Sequence, residues 1–384
     1  MPRELRILVY IAAILIYNHT CAFAAMTENQ IREGLKAHQY ALHITDDWIR
    51  DPYIIRAPDG FYYLTGTTQG PRRESAYRLK YNTGLGKTSA VGWKMKLWKS
   101  TDLVKWEYLG TPYSLKNGYW YKENREAFDK ADPFRWRLWA PEIHFLDSKA
   151  VIIHTSPFPI KGGANFVFAQ NEKVKGPWSH PLGEKIRNRH DPSLFQDDGM
   201  WWMIWGATRI AALTDDFSDY KSEPIVIGPK PSQGFKKMGH EGCLIRKIGR
   251  KYVLFGTGWS TGKMRKGSYN LYYATADKIT GPYSERRFAG RFLGHGTPFK
   301  YKDGQWWCTA FYNANVPPLS KKGIQERDLG ETAQTINQQG VTLVPIEVKI
   351  FEDGDVGVRV VDEHYYSPGP DEAQKFTNVN GFWK

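Results

Sequence analysis

Cysteine is scarce in this sequence, with three among 384 residues: Cys21, Cys243 and Cys308. Three cysteines cannot form the disulfide framework of a small stapled domain. Long apolar runs are missing as well, because the apolar stretch 7–17 ends at Asn18 and a membrane-spanning helix needs about 20 such residues. The sequence therefore excludes a disulfide-stapled miniprotein and predicts no membrane-spanning segment.

Positive charge and aromatic residues are abundant instead. Lys and Arg number 53 against 40 Asp and Glu, a net charge of +13, and 15% of the residues are aromatic. A charged fraction of 24% beside 41% hydrophobic residues is typical of a soluble globular protein and excludes wholesale disorder. Flat amphipathic side chains suit carbohydrate and nucleic-acid binders alike, and the charge suits an anionic partner.

The first 24 residues have the composition of a secretory signal peptide. Arg3 and Arg6 precede the apolar stretch, and Ala22-Phe23-Ala24 supplies the small residues of a cleavage site. We therefore predict cleavage near Ala24 and a secreted or periplasmic mature protein. Cleavage removes one cysteine, and the sequence allows the remaining two either to pair or to stay as buried thiols.

Five copies of one repeat, about 50 residues long apart from a longer first copy, are the most informative feature of the sequence. Each copy has a short polar or small motif, a β-rich strand, a turn and an aromatic-rich second strand. The copies begin at Asp51, Ala140, Asp191, Glu241 and Gly296. Turns such as Asp59-Gly60 carry the dipeptide that most strongly marks hairpins. With almost no helical periodicity, these repeats predict an all-β fold, a five-bladed β-propeller, rather than a β-sandwich.

The repeats divide the chain into parts. We assign residues 1–24 to the signal peptide, 25–46 to an N-terminal extension with a short helix over 28–40, 47–362 to the propeller and 363–384 to a C-terminal tail. Alternating Val and Ile over 341–361 predict strands that close the ring. The long first interval leaves room for a basic, aromatic insertion over 72–121, extended by 122–136.

Three of the five copies begin with a carboxylate: Asp51, Asp191 and Glu241. The innermost strands of a propeller line one central channel, so we expect these side chains to converge. A single Asp before Pro often only organises a turn. Three acids in one register are better explained by chemistry, and glycoside hydrolysis needs one carboxylic acid for the leaving oxygen and one carboxylate for water.

The motifs in this register, taken in order, resemble glycoside hydrolase family 43 over about residues 47–361. They are Arg50-Asp51-Pro52, Trp139-Ala140-Pro141-Glu142, His190-Asp191-Pro192-Ser193-Leu194-Phe195, Glu241-Gly242 and Gly294-His295-Gly296. The resemblance implies an inverting, exo-acting glycosidase with Asp51 as general base, Glu241 as general acid, and Asp191 orienting the acid and tuning its pKa. Cys243 departs from the family, which often has Pro after Glu-Gly. His240 is a rival acid, because a histidine has been proposed for that role in the related anhydrogalactosidases.

Further side chains near these motifs are candidates for substrate binding. They are Arg50, Trp139, His190, His240, His295 and Trp259, with Trp120 as another aromatic that could stack on sugar. The three histidines stand just before the motifs of copies three to five, where they could hold a metal or bond substrate. We predict no required cofactor and no catalytic metal; the family resemblance allows a structural calcium or another ion in the central channel.

The positive charge is concentrated in two stretches. Residues 70–99 carry a net charge of +7, and 236–266, around the predicted acid, carry +8. Two interpretations stay open: a solvated surface, which explains many lysines, and recognition of a sulfated or uronate-containing carbohydrate from a plant or alga, whose oxyanions suit arginine. Export and the lack of a recognised motif argue against nucleic acid. A non-catalytic glycan-binding propeller remains the alternative to an enzyme, and the oligomeric state is open.

Overall fold

The computed structural model describes residues 26–70, 90–146, 149–169, 174–263, 267–310, 340–376 and 382. The predicted signal peptide, the turn expected at Asp147-Ser148 and most of the first basic stretch (71–89) lie outside these residues. Five antiparallel sheets succeed one another around a ring, which confirms the five-bladed β-propeller. In the described part of the chain, no helix is long and apolar enough to span a membrane.

The elements before and in blade one are as follows. Helix α1 (Glu28–Ala37) and strand β1 (Leu42–Thr45) precede the blade. Blade one consists of β2 (Ile49–Arg56), β3 (Tyr62–Thr68), β5 (Trp98–Ser100) and β6 (Glu107–Tyr108), and the ribbon of β4 (Lys94–Met95) and β7 (Tyr113–Ser114) lies in its insertion. The expected helix is present but ends at Ala37 instead of residue 40, and Thr27 caps its N-terminus with a capping box to Gln30.

Blades two and three follow, each with four strands in chain order. Helices α2 (Tyr119–Glu123) and α3 (Arg125–Lys130) lead into blade two, which consists of β8 (Trp139–Leu146), β9 (Lys149–Thr155), β10 (Ala164–Ala169) and β11 (Trp178–Ser179). Blade three consists of β12 (Ser193–Asp197), β13 (Met200–Trp205), β14 (Arg209–Ala212) and β15 (Ile225–Val226). Short 3-10 turns at Leu115–Asn117, Pro133–Arg135 and Gly183–Ile186 complete the connections.

Blades four and five contain the longest strands. Strand β16 (Pro229–Lys230) precedes blade four, which consists of β17 (Glu241–Ile248), β18 (Lys251–Trp259), β19 (Tyr269–Ala276) and β21 (Arg287–Gly290), while β20 (Tyr283–Glu285) pairs with β16. Blade five contains β22 (Pro298–Lys300), β23 (Trp306–Ala310), β24 (Val341–Ile350) and β25 (Val356–Val360). Every residue of β19 is buried, because both faces of the sheet pack against other parts of the ring.

Both ends of the propeller meet in blade five. The first half of β24 pairs with β1, and its second half pairs with β25. The residues 341–361 therefore supply closing strands as expected. The N-terminal boundary that we placed at residue 47 is too late, since Leu42–Thr45 is already part of the ring and ties the first strand of the chain to the last blade.

Candidate active site

At or just before the start of each innermost strand, one residue has a left-handed backbone conformation. These residues have φ between 44° and 63°, and they are Asp51, Ala140, Asp191, Gly242 and His295. Bulges at the starts of β2, β8 and β17 accompany this conformation. The structure corrects the predicted register by one residue in two blades. In blade four the equivalent of Asp51 and Asp191 is Gly242, not Glu241. In blade five it is His295, not Gly296.

The corrected register explains which side chains meet. Glu241 is equivalent to His190, Trp139 and Arg50, one residue before the left-handed position. His295 instead shares the position of the two aspartates. The three histidines that we placed in one register therefore occupy different positions, and only His190 and His295 contact the carboxylates.

Threonines at the ends of second strands fix several left-handed residues. The Thr67 hydroxyl accepts from the backbone N–H of Ala140 and donates to Oδ2 of Asp51, both at 2.7 Å. The Thr155 hydroxyl accepts from the N–H of Asp191 at 2.7 Å and donates to Oδ1 of that residue at 3.2 Å. Each hydroxyl thus links one blade to the next and orients a carboxylate.

Carboxylates and imidazoles alternate across the mouth of the channel. The order is Asp51, His295, Asp191, His190 and Glu241, which we call the acid–histidine row. His295 Nδ1 lies 3.3 Å from Asp51 Oδ1 and 3.9 Å from Asp191 Oδ2. His190 Nε2 lies 3.4 Å from the same Asp191 oxygen and 3.2 Å from Glu241 Oε2. Asp51 and Glu241 therefore stand at opposite ends, and Asp191 lies at the centre with a side chain only 5% exposed.

Glu241 is the most exposed carboxylate of the row, at 35% of its side chain. Its Oε2 accepts from His190, and its Oε1 accepts from the Tyr269 hydroxyl at 2.6 Å. Tyr269 begins β19 and was not identified from the sequence. Its ring packs on Trp259, with centroids 4.5 Å apart.

The electrostatics of the row follow from these contacts. The charge of Asp191, with help from Glu241 and Asp51, outweighs burial and raises the pKa of His190 to about 9. Burial raises the pKa of Asp191 despite the two imidazoles. Burial acts in the same direction on Glu241, but hydrogen bonds from His190 and Tyr269 and the imidazole charges outweigh it and lower the pKa of Glu241. The free site therefore pairs an ionised Glu241 with a protonated His190.

The sequence profile of Glycosyl hydrolases family 43 matches residues 44–326. This chain belongs to that family. Sequence relatives include a β-D-galactofuranosidase from Aspergillus niger, 25% identical over 56% of this chain and 65% of the relative. A xylosidase/arabinosidase from Humicola insolens is 24% identical over 61% of this chain and 39% of its own length. A non-reducing end α-L-arabinofuranosidase from Bacteroides ovatus is 22% identical over 71% and 47%. The chain thus spans less than two thirds of the length of these relatives.

Solved structures of family 43 proteins share the fold. A protein from a Bacteroides ovatus xyloglucan utilisation locus superposes with a TM-score of 0.54 at 18% identity, over 88% of this chain and 60% of its own. BlXynB from Bacillus licheniformis gives a TM-score of 0.53 at 18% identity, over 89% and 61%. At this identity the likeness concerns the propeller alone.

The remaining predicted substrate contacts differ in position. Trp139 is half-buried, and its ring meets that of His190 edge-on at 6.4 Å. Arg50 is buried beside Asp51 in the chain and shares the register of His190. His240 contacts the backbone of β18 through its N–H, and burial lowers the pKa of its ring. We therefore find Trp139 at the row and His240 outside it.

Two of the tryptophans predicted to stack on sugar are buried instead. Trp259 is 4% exposed and faces Tyr269, so it supports the partner of Glu241. Trp120, a residue of α2, is 3% exposed and donates its indole N–H to the Ala164 carbonyl of β10 at 2.6 Å. Bulky aromatic rings gain most by burial, which here overrides the exposed role that we predicted. Cys243 and Cys308 are both free and buried, which settles their pairing.

His190, Asp191 and Glu241 come closest to a metal-binding arrangement among the described residues, with ligand atoms within 4.8 Å of one another. The nitrogen involved is Nε2 of His190, which already contacts both carboxylates, so ion pairing accounts for the proximity. A structural ion in the central channel stays a prediction. The cavity below the row offers one further carboxylate, Glu142, whose Oε2 contacts His144 at 2.8 Å.

Only part of the second basic stretch lies near the acid in space, and residues 264–266 lie outside the described part of the chain. Strand β17 carries Lys247 to the opposite end of the blade, about 20 Å from Glu241 at 3.3 Å per residue. Lys247 and Lys251 pair there with Asp197 and Asp277, both at 2.7 Å. Exposed lysines on the acid's own side of the blade are Lys236, Lys237 and Lys263.

The sequence held a signal for the threonines that we missed. Second strands of four repeats end near a threonine: Thr67, Thr155, Thr257 and Thr309. Thr257 accepts from the N–H of His295 at 2.7 Å, and Thr309 donates to the Pro52 carbonyl at 2.6 Å. Tyr269 carries no comparable signal, because its function depends on where the third strand of blade four places its ring.

Proposed function

We propose that this protein is a secreted glycoside hydrolase that removes a terminal sugar from a plant or algal oligo- or polysaccharide with inversion at the anomeric carbon. The observation that carries the proposal is the acid–histidine row, whose end members are a base candidate and an acid candidate. Inverting glycosidases keep two carboxyl groups far enough apart for a water molecule. The contacts connect Asp51 to Glu241 through His295, Asp191 and His190, so the two carboxylates have different immediate partners, as two groups with different roles require.

Asp51 acts as the general base in this mechanism. Thr67 and His295 each contact one of its oxygens and so fix the orientation of the carboxylate. Asp51 takes a proton from the attacking water as the oxygen bonds to the anomeric carbon. A positioned base of this kind typically contributes about 10²- to 10⁴-fold to the rate.

Glu241 acts as the general acid together with His190. The two groups are in direct contact and titrate as a pair, so the relevant quantity is the one proton that they share. In the free site His190 holds that proton. When a sugar displaces water, separated charges become less favourable, and the proton moves from Nε2 of His190 to Oε2 of Glu241 and then to the leaving oxygen. Solvent reprotonates the pair after product leaves.

Family relatives guide the choice of substrate. Their names include a galactofuranosidase, a xylosidase/arabinosidase and a non-reducing end arabinofuranosidase, which supports a terminal furanoside or xyloside here. Lys236, Lys237 and Lys263 favour a sulfated or uronate-bearing polymer as a second candidate. The signal sequence supports action outside the cytoplasm, and the mass of the exported protein tests cleavage near Ala24.

A substrate screen tests the proposed function. Nitrophenyl α-L-arabinofuranoside, β-D-xyloside and β-D-galactofuranoside are compared with sulfated and desulfated oligosaccharides, and NMR follows the first anomer released. We expect hydrolysis with inversion by the wild type and none by Asp51→Asn. Equal release by that variant refutes the assigned base, and a retained anomer refutes inversion. Preference for desulfated substrate removes the anionic candidate, while binding without turnover by the wild type favours the glycan-binding alternative.

A further inference from the structure

Residues 369–376, which we call the C-terminal strap, pack on blade four beside the acid. They lie beyond the family match, which ends at residue 326. Their centre is Asp371, with a side chain 8% exposed. One of its oxygens accepts from the Ser260 hydroxyl at 2.5 Å and from the Ser268 hydroxyl and N–H at 2.7 Å, and the other pairs with Arg291 at 2.5 Å.

Ser260 and Ser268 directly flank the two aromatic residues behind Glu241. Ser260 follows Trp259 at the end of β18, and Ser268 precedes Tyr269 at the start of β19. Their backbones bond each other, Ser260 N–H to Ser268 carbonyl at 2.9 Å. Asp371 therefore closes this loop from outside and restrains the residue whose hydroxyl reaches Glu241.

The strap also restrains the segment that carries His295. Arg291 pairs with Asp371, and the N–H of Gly294 donates to the Tyr269 carbonyl at 3.0 Å. The Asn270 side chain joins both segments, since it accepts from the N–H of Phe292 and donates to Glu372 of the strap. Two members of the acid–histidine row thus depend on a shared support.

Further strap contacts reach the chain just before the acid. Gln374 accepts from Arg286 at 2.8 Å, and Arg286 donates to the Met238 carbonyl at 3.2 Å, three residues before Glu241. The fit is close, because a Cβ added to Gly369 would lie 2.2 Å from Cζ of Arg291. Such packing leaves the strap no room to shift without moving its neighbours.

We infer that the C-terminal strap is part of the active site and that Asp371 is a positioning residue, which holds Tyr269 and His295 and thereby sets the geometry of Glu241. This rests on the proposed function, in which Glu241 protonates the leaving group. A small displacement of an acid from its productive position lowers the rate of the step that needs it. The effect therefore depends on how much protonation the leaving group requires.

Asp371→Asn tests the inference against Asp355→Asn. Asp355 likewise bonds an arginine (Arg287, 2.6 Å) and a hydroxyl (Thr275, 2.7 Å), but lies in the turn at the opposite end of blade five. We expect Asp371→Asn to lower kcat roughly 10- to 100-fold on an alkyl glycoside, with KM unchanged and a much smaller loss on the dinitrophenyl glycoside. Asp355→Asn should leave the ratio of kcat on the alkyl glycoside to kcat on the dinitrophenyl glycoside unchanged. An equal loss on both substrates, or no loss, overturns the inference.

Hydrogen exchange separates this inference from the proposed function. If the wild-type protein cleaves no glycoside, the proposed hydrolase function is wrong. Peptides that contain Trp259, Tyr269 and His295 should still exchange faster in Asp371→Asn and not in Asp355→Asn. Unchanged protection in those peptides overturns the role of the strap whatever the activity.

Discussion

The two ends of the acid–histidine row are built differently. Asp51 is 13% exposed and is fixed by Thr67 of its own blade and by His295 of blade five. Glu241 is 35% exposed and depends on His190 of blade three and on Tyr269, which the C-terminal strap supports. The base end thus uses a device of the repeat itself, which recurs at Asp191 with Thr155. The acid end depends in addition on Tyr269, in the third strand of blade four, and on the C-terminal strap, which lies outside the five repeats.

This difference follows from the chemistry of each end. A base needs only a fixed carboxylate near a water molecule, and a left-handed residue with one hydroxyl partner supplies it. An acid must hold a proton at neutral pH and release it to a leaving oxygen, which requires partners that tune its pKa. Such partners can come from any element that reaches the site.

Leaving-group dependence should separate the two ends most strongly. Asp51→Asn should lower kcat by about 10²- to 10⁴-fold on every substrate, because water must be activated whatever leaves. Glu241→Gln should cost as much on an alkyl glycoside but only about 10-fold on a dinitrophenyl glycoside, whose leaving group needs no proton. Steady-state kinetics with both substrates measures this. Exposed Asp47→Asn is the control, and identical leaving-group dependence in the two variants contradicts the assignment.

The alkaline limb of the pH profile should respond to changes at the acid end. As pH rises through about 9, His190 loses the proton that its raised pKa retains, so the alkaline limb of kcat/KM should fall near there. In His190→Asn the proton is held by Glu241 alone, whose pKa lies well below that of His190, so the alkaline limb should move to clearly lower pH. His180 lies in the same connection, and its ring hydrogen-bonds only the Asn117 carbonyl among the described residues, so His180→Asn should keep the limb. An unshifted limb in His190→Asn rules out the shared proton.

The smallest effect is expected at the base end, from Thr67→Val. Valine keeps the shape but removes the bonds to Asp51 and to the Ala140 N–H, at a cost of about 1 to 3 kcal/mol in the free energy of unfolding. We expect a lower melting temperature and a several-fold loss of kcat that is equal for alkyl and dinitrophenyl substrates. Thr68→Val, which loses only a bond to the Lys94 carbonyl, serves as control. A loss confined to the alkyl substrate would place Thr67 at the acid end instead.

Much of the fold and part of the site could be predicted from local patterns. Asp-Pro motifs, hairpin turns and aromatic strands recur because each blade solves the same packing problem, so five repeats led directly to five blades. The register was predictable only to within one residue. The first hairpins of the blades differ in length, so different residues of the motif reach the left-handed position. Spacing alone made Glu241 the equivalent of Asp51, whereas the structure gives that position to Gly242.

The sequence by itself determined the propeller, its family and the acidic residues that meet at the channel, since these follow from strand periodicity and from motifs within one blade. Tertiary structure alone decided the alternation of carboxylates with His190 and His295, the burial of Trp259, and the pairing of Lys247 and Lys251 away from the acid. It also decided that Tyr269 and Asp371 stand behind the acid. The reason is physical: a side chain's pKa and orientation depend on neighbours in space, which a closed ring draws from distant parts of the chain.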